Sequence, residues 1–182
     1  MNKGVRAGKG AARTLAIVGV TAATVECVKL ALAFIPNVEL VTFLIALYAY
    51  VFGWLGVATA VVFVCIEPLI YGVGSWVVSY FIYWPLLALC FCILGRLRVK
   101  NRVVLTAFAV LMTFLFGVMS SLVDVGLFMG YFDNFFARFA IYYARGAVFY
   151  IVQIACNAVV FPLLFIPTAN KLKKIISVSG RQ

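Results

Sequence analysis

Arg96-Leu97-Arg98-Val99-Lys100-Asn101-Arg102 sets four cations in seven residues between two apolar runs, Trp76 to Leu94 and Val103 to Leu122. The pattern recurs at both ends of the chain. Lys3, Arg6, Lys9 and Arg13 precede the first apolar run, and Lys171, Lys173, Lys174 and Arg181 follow the last. Twelve of the fifteen Lys and Arg lie in these three tracts, and none of the five acidic residues does. Glu26, Glu39, Glu67, Asp124 and Asp133 sit inside or between the apolar runs instead. Long apolar runs separated by basic tracts are the mark of a polytopic membrane protein whose cytoplasmic loops hold the cations.

Composition agrees. The chain is 66% hydrophobic with a mean hydropathy of +1.16, whereas a soluble domain is about half apolar. Its 182 residues divide into helical spans of about 20 residues each. The runs are continuous rather than alternating, which argues against a β-barrel, so the expected class is all-α. The net charge of +10 does not imply nucleic acid, because the cations flank hydrophobic spans and positive-inside topology accounts for them. The five cysteines, Cys27, Cys65, Cys90, Cys92 and Cys156, all fall in expected spans. Their odd number argues against a disulfide framework, and Cys90-Phe91-Cys92 lacks the histidine or second cysteine pair of a metal site. The basic N-terminus leads into an apolar run of full spanning length and reads as the first helix, not as a cleaved signal.

Six helices are expected, about 13–35, 38–52, 57–71, 76–94, 103–122 and 141–166, with a basic cytoplasmic segment at 1–12 and a basic tail at 168–182. Pro36 ends the first, Asn37 caps the second, Gly53-Trp54-Leu55-Gly56 forms a tight turn into the third, and Pro85 kinks the fourth. Helix 2 is the shortest. An even number of spans leaves both termini and the central basic tract on one face, with three connections on the other: Pro36 to Glu39, Glu67 to Ser75, and Asp124 to Arg138. Those connections hold four of the five acids.

Several polar groups lie where burial in lipid is expensive. Glu26 and Lys29 are one turn apart in helix 1 and can pair with each other, either to orient the helix or to border a polar cavity. Tyr143, Gly146, Tyr150, Gln153 and Asn157 recur at intervals of three and four and share one face of helix 6. Their amides either bond a neighbouring helix or, with the aromatics, line a site for an organic molecule. Glu67-Pro68 and Tyr71-Gly-Val-Gly-Ser75-Trp76, with Tyr80 and Trp84 beyond, place aromatics near the outer face, as interfacial anchors or as cavity walls. Glu39, Glu67, Tyr71, Trp76, Tyr80, Trp84, Tyr150, Gln153 and Asn157 are the candidate binding residues. Arg138 and Arg145 are available to an anionic group or to Asp124 and Asp133. Ala12, Ala16, Gly19 and Ala23 make a stripe of small residues on helix 1, for packing inside the bundle or for docking another membrane subunit.

There is no histidine, no paired-carboxylate motif and no nucleophile–base set, so no enzymatic activity is expected of the chain itself. Gly8-Lys9-Gly10 lacks the frame of a phosphate-binding loop. No inverted repeat is evident. Six short spans, a small-residue stripe on helix 1 and outer loops are similar to the S-components, the substrate-binding membrane subunits, of energy-coupling factor (ECF) vitamin transporters. The resemblance is closest in Ile35-Pro-Asn-Val-Glu-Leu-Val-Thr42, Glu67-Pro-Leu-Ile-Tyr-Gly-Val-Gly-Ser-Trp76 and Tyr83-Trp-Pro85. These stretches resemble S-components of lactic-acid bacteria and relatives, among which cobalamin carriers are found. The family's Ala-x-x-x-Ala signature is met by Ala12 and Ala16, with Gly19 and Ala23 continuing it as small residues.

The resemblance implies a six-helix bundle in the bacterial plasma membrane with both termini cytoplasmic. It also implies capture of a vitamin, cobalamin first and pantothenate or a queuosine precursor as alternatives. The partners it implies are a transmembrane coupling subunit, docked through helix 1, and two ATPases. Those ATPases would use ATP and Mg, and this chain would hold no cofactor. A membrane interaction protein without a small ligand is the competing expectation.

Overall fold

A computed structural model describes residues 3–35, 38–129 and 134–179, and every regular element among them is helical. Pro36, Asn37, Asp133 and Arg181, to which the sequence pattern assigns a helix end, a cap and two charges, lie outside the described residues. The helices are α1 (Lys3–Leu32), α2 (Val41–Phe52), α3 (Trp54–Tyr71), α4 (Trp76–Arg96), α5 (Arg102–Val123), α6 (Phe135–Val160) and α7 (Ile166–Ser179). A π-helical turn, Asp124–Phe128, extends α5, and another, Phe161–Phe165, joins α6 to α7.

Five stretches are long and apolar enough to cross a membrane: Gly10–Leu32, Trp54–Tyr71, Trp76–Arg96, Arg102–Phe128 and Phe135–Ser177. Their outward faces carry exposed apolar side chains, among them Leu15, Val20, Leu69, Leu111, Val148 and Leu163. Water does not tolerate such continuous apolar cover, and lipid does. The architecture is thus an all-α bundle compatible with a membrane.

The expected second span is not one of the five. With 12 residues, α2 is about 18 Å long at 1.5 Å per residue, short of the roughly 30 Å hydrocarbon core. It survives because other helices enclose it: nine of its residues are buried, on every face. Its neighbours approach at backbone distance. A Cβ added at Gly56 of α3 would collide with the backbone at Tyr48 and Ala49, and one at Gly95 of α4 with the carbonyl of Tyr50. Small residues at these two points let helix backbones touch without intervening side chains. Around them pack Phe43, Ile45, Leu47, Phe63, Leu87, Phe91, Phe161 and Phe165. The rings of Phe161 and Phe165 stack 5.0 Å apart and meet Phe43 edge-on at 5.6 and 5.9 Å.

Other boundaries also differ from expectation. Residues 3–12 are part of α1 rather than a separate segment. The turn into α3 is Gly53 alone, at φ 64°, a conformation that glycine adopts freely. The connection expected from Asp124 to Arg138 shrinks, because the π turn continues α5 and α6 begins at Phe135. The tail expected from residue 168 is helical to Ser179. Pro162 sits in the widened turn at 161–165, where the missing N–H and the ring of a proline are accommodated. Arg102 donates to the carbonyl of that same Pro162 at 3.4 Å. Pro85, by contrast, lies within an uninterrupted α4.

The central and C-terminal basic tracts meet at one end of the bundle. Asn101 caps α5, its Oδ1 accepting from the N–H groups of Val103 (2.9 Å) and Val104 (3.3 Å). Tyr50 donates its hydroxyl to the carbonyl of Val99 at 2.8 Å, and Lys173 lies over the Tyr50 ring at 4.4 Å. Substituting Gly56→Ala or Gly95→Ala should destabilise the detergent-solubilised protein by about 1–3 kcal/mol, the usual range for overpacking. Thermal unfolding followed by size-exclusion chromatography reads this, and an unchanged midpoint would contradict the backbone contact.

Candidate ligand-binding cavity

At the end opposite the basic tracts the bundle opens into a cavity of about 760 Å³. The end of α1, the start of α2, the ends of α3 and α5, the first half of α4 and the middle of α6 all contribute to its wall. It exists because α2 stops short. The first turn of α2 lies beneath the cavity, where a full-length helix would have filled it.

That first turn leaves N–H groups without intrahelical partners. Glu39 supplies them: its Oε2 accepts from Val41 N–H at 2.9 Å and Thr42 N–H at 3.3 Å, and its Oε1 accepts from the Thr42 hydroxyl at 2.7 Å. A carboxylate at a helix N-terminus is also favoured by the helix dipole. Cys156 of α6 donates to the Glu39 carbonyl at 3.5 Å, fastening the same junction to the opposite wall.

One wall is aromatic. Trp76 and Tyr80 meet edge to face at 5.0 Å, Tyr80 and Trp84 at 5.7 Å, and Tyr83 lies 4.7 Å from Phe116. Into this wall projects Lys29, ion-paired with Glu67 of α3. Its Nζ lies 4.2 Å from the centre of the Tyr71 ring, 5.7 Å from that of Tyr80 and 5.8 Å from that of Phe63. The pairing of Lys29 with Glu26 expected along α1 is therefore replaced by a cross-helix pair. Glu67 is 1% exposed, and burying a carboxyl group that deeply is costly unless it has a partner such as Lys29. Glu26 is buried beside Glu67.

The facing wall comes from α5 and α6. Tyr142 donates to Asp124 Oδ2 at 2.9 Å. Tyr150 occupies a slot between two glycines: a Cβ at Gly117 or at Gly146 would come within 2.8 or 2.7 Å of its ring. Tyr143 stacks on it at 5.4 Å, and Gln153 continues the wall. Arg145 lines the cavity with its side chain exposed. Arg138, on the preceding turns, donates to the Met129 carbonyl at 3.3 Å.

Of the nine residues singled out from sequence, Glu39, Tyr71, Trp76, Tyr80, Trp84, Tyr150 and Gln153 line this one cavity. Glu67 stands behind it as the partner of Lys29. Asn157 is fully buried and donates to Thr113 at 3.0 Å, so it ties α6 to α5. Thr113, Phe116 and Ser120, absent from the candidates read in the sequence, and Asp124, expected only as a partner for Arg138 or Arg145, recur at intervals of three, four and four, which places them on one face of α5 and its extension. Tyr142, Arg145, Phe149 and Gln153 repeat the same intervals. The periodicity test that picks out α6 finds them when it is applied to α5 as well.

Apolar walls with a few fixed polar groups, in a volume within the roughly 300–1,000 Å³ of small-molecule sites, suit non-covalent capture of an organic molecule. Replacing Lys29 by Met should lower stability by about 3 kcal/mol, because Glu67 is left buried and unpaired. The double variant Lys29→Met with Glu67→Met should recover a good part of that loss. Denaturation of the three proteins in one detergent checks this, and a double variant no more stable than the single one would contradict the pairing.

The chain matches no protein-family model, no curated protein and no solved structure.

Proposed function

We propose that this chain is the substrate-binding subunit of an importer of the energy-coupling factor type. In this reading it captures a small molecule of the vitamin class at the outer face. A coupling subunit and two ATPases, which use ATP and Mg, then drive delivery inward. The observation that carries the reading is the placement of the cavity: it opens at the end of the bundle opposite the basic tracts, which positive-inside topology assigns to the cytoplasm. The likeness of Ile35–Thr42, Glu67–Trp76 and Tyr83–Pro85 to S-components supports it, since these segments contribute much of the cavity lining.

A second support is the stripe on α1. Ala12, Ala16, Gly19 and Ala23 are all exposed, and nothing lies within 4 Å of a Cβ built on Gly19. The face of α1 that packs inward uses Thr21, Ala22 and Val25 instead, with Thr21 bonded to Thr59 of α3 at 2.7 Å. The stripe is therefore free for a partner helix at the basic half of the bundle, where a coupling subunit would meet it. As for cargo, pantothenate or a queuosine precursor would be enclosed by a cavity of this size. Cobalamin would sit with part of its ring system beyond the mouth.

Co-expressed with a coupling module, the chain should purify with a larger membrane subunit and two ATPases, and should support ATP-dependent uptake in proteoliposomes. Gly19→Leu should leave its own stability within about 0.5 kcal/mol, as exposed substitutions do, while abolishing that co-purification. Retention of the partners by Gly19→Leu would remove the stripe from the docking surface. Failure of the wild type to assemble or to transport would overturn the proposal.

A further inference from the structure

We infer that the ligand of this cavity is an organic monoanion, an apolar or aromatic body bearing one carboxylate, and that Arg145 is its anchor. The inference rests on the cavity being a binding site and adds the chemical class of what it binds. It follows from asking which charges in the wall are still open to a ligand.

Among the described residues, four charged side chains line the cavity, and three of them are turned to other tasks. Lys29 is ion-paired with Glu67 of α3, and the rings of Tyr71 and Tyr80 stand against it. Glu39 spends both carboxyl oxygens on the first turn of α2. Asp124 has its Oδ1 enclosed away from the cavity and its Oδ2 held by Tyr142. Arg145 differs. It lines the cavity with its side chain exposed, and its guanidinium makes neither an ion pair nor a hydrogen bond among the described residues.

The position of that guanidinium matters. Arg145 lies inside α6, within an apolar stretch long enough to cross a membrane. A permanent cation there is expensive beside lipid and is kept where it faces water or a ligand within the protein. It shares a helix face with Tyr142, Phe149 and Gln153, all of the cavity wall, so the cavity is what it faces. A guanidinium only donates, and its fork of N–H groups matches the two oxygens of a carboxylate. One unneutralised charge calls for one opposite charge, which a carboxylate carries at neutral pH and a phosphate monoester exceeds. The rest of the ligand meets Trp76, Tyr80 and Phe116, rings that stack on flat or apolar groups.

The test uses the full chain in phosphatidylcholine nanodiscs and three indoles of near-equal size: indole-3-acetate (anion), tryptophol (neutral) and tryptamine (cation). Calorimetric titration should show indole-3-acetate binding about tenfold or more tighter than tryptophol, with tryptamine weakest. Arg145→Gln should cut the preference for carboxylate over alcohol to about threefold or less. Arg145→Lys, which keeps the charge and loses the fork, should fall between. Both substitutions are at an exposed position and should leave the fold intact. Lys171→Gln removes one exposed cation from the basic end and should leave the preference as it is. Equal binding of carboxylate and alcohol, tighter binding of the amine, or a preference unmoved by Arg145→Gln overturns the charge assignment and leaves the cavity as a binding site. An equal loss in Lys171→Gln overturns it too, since net charge alone would then attract the anion. No binding of any of the three overturns both.

Discussion

Contact between the backbone of α2 and the backbones of α3 and α4, at Gly56 and Gly95, is the constraint on which the rest of the bundle depends. A helix of 12 residues cannot satisfy a bilayer by itself. Enclosed by its neighbours it need not face lipid, and its own hydrogen bonds satisfy its backbone except in the end turns. At the first of these Glu39 enters. The shortness of α2 leaves room above it, and the carboxylate that closes its first turn becomes part of the cavity floor. A packing solution and a binding site thus share one origin.

Charge placement follows the same economy. Ionised groups within apolar surroundings persist only when paired or hydrogen-bonded. Lys29 with Glu67 and Asp124 with Tyr142 each join two helices around the cavity, and Asn157 with Thr113 does so beneath it. These links hold α1 to α3 and α5 to α6 while turning polar chemistry towards the interior. The outward faces are left to apolar side chains. The basic tracts collect at the far end, where Tyr50 and Trp54 receive Lys173 and Arg96 over their rings.

Much of the cavity is legible in the order of residues alone, for a physical reason. A helix face repeats every 3.6 residues, so Tyr150 and Gln153 have to share one side of α6 whatever packs against it. Trp76, Tyr80 and Trp84 share a face of α4 by the same rule. Sequence and structure part where a tertiary partner competes with a local one. Lys29 is three residues from Glu26, but Glu67 of another helix is the deeper and more demanding acid. Asn157 belongs to the right face of α6 but lies too far along it, where Thr113 of α5 takes its amide.

Helical class, the opposition of basic and acidic ends, and the faces of α4 and α6 all follow from the residues in order, because hydropathy, charge and helical period are properties of neighbours along the chain. The enclosure of α2, and with it the reduction from six expected spans to five plus a buried helix, does not. It depends on whether two glycines, 39 positions apart in numbering (Gly56 and Gly95), meet the same helix from different sides. The partners of Lys29 and Asp124 are decided in the same way. Ion pairs and hydrogen bonds between helices form where packing brings the groups together, and packing is settled only when the whole bundle closes.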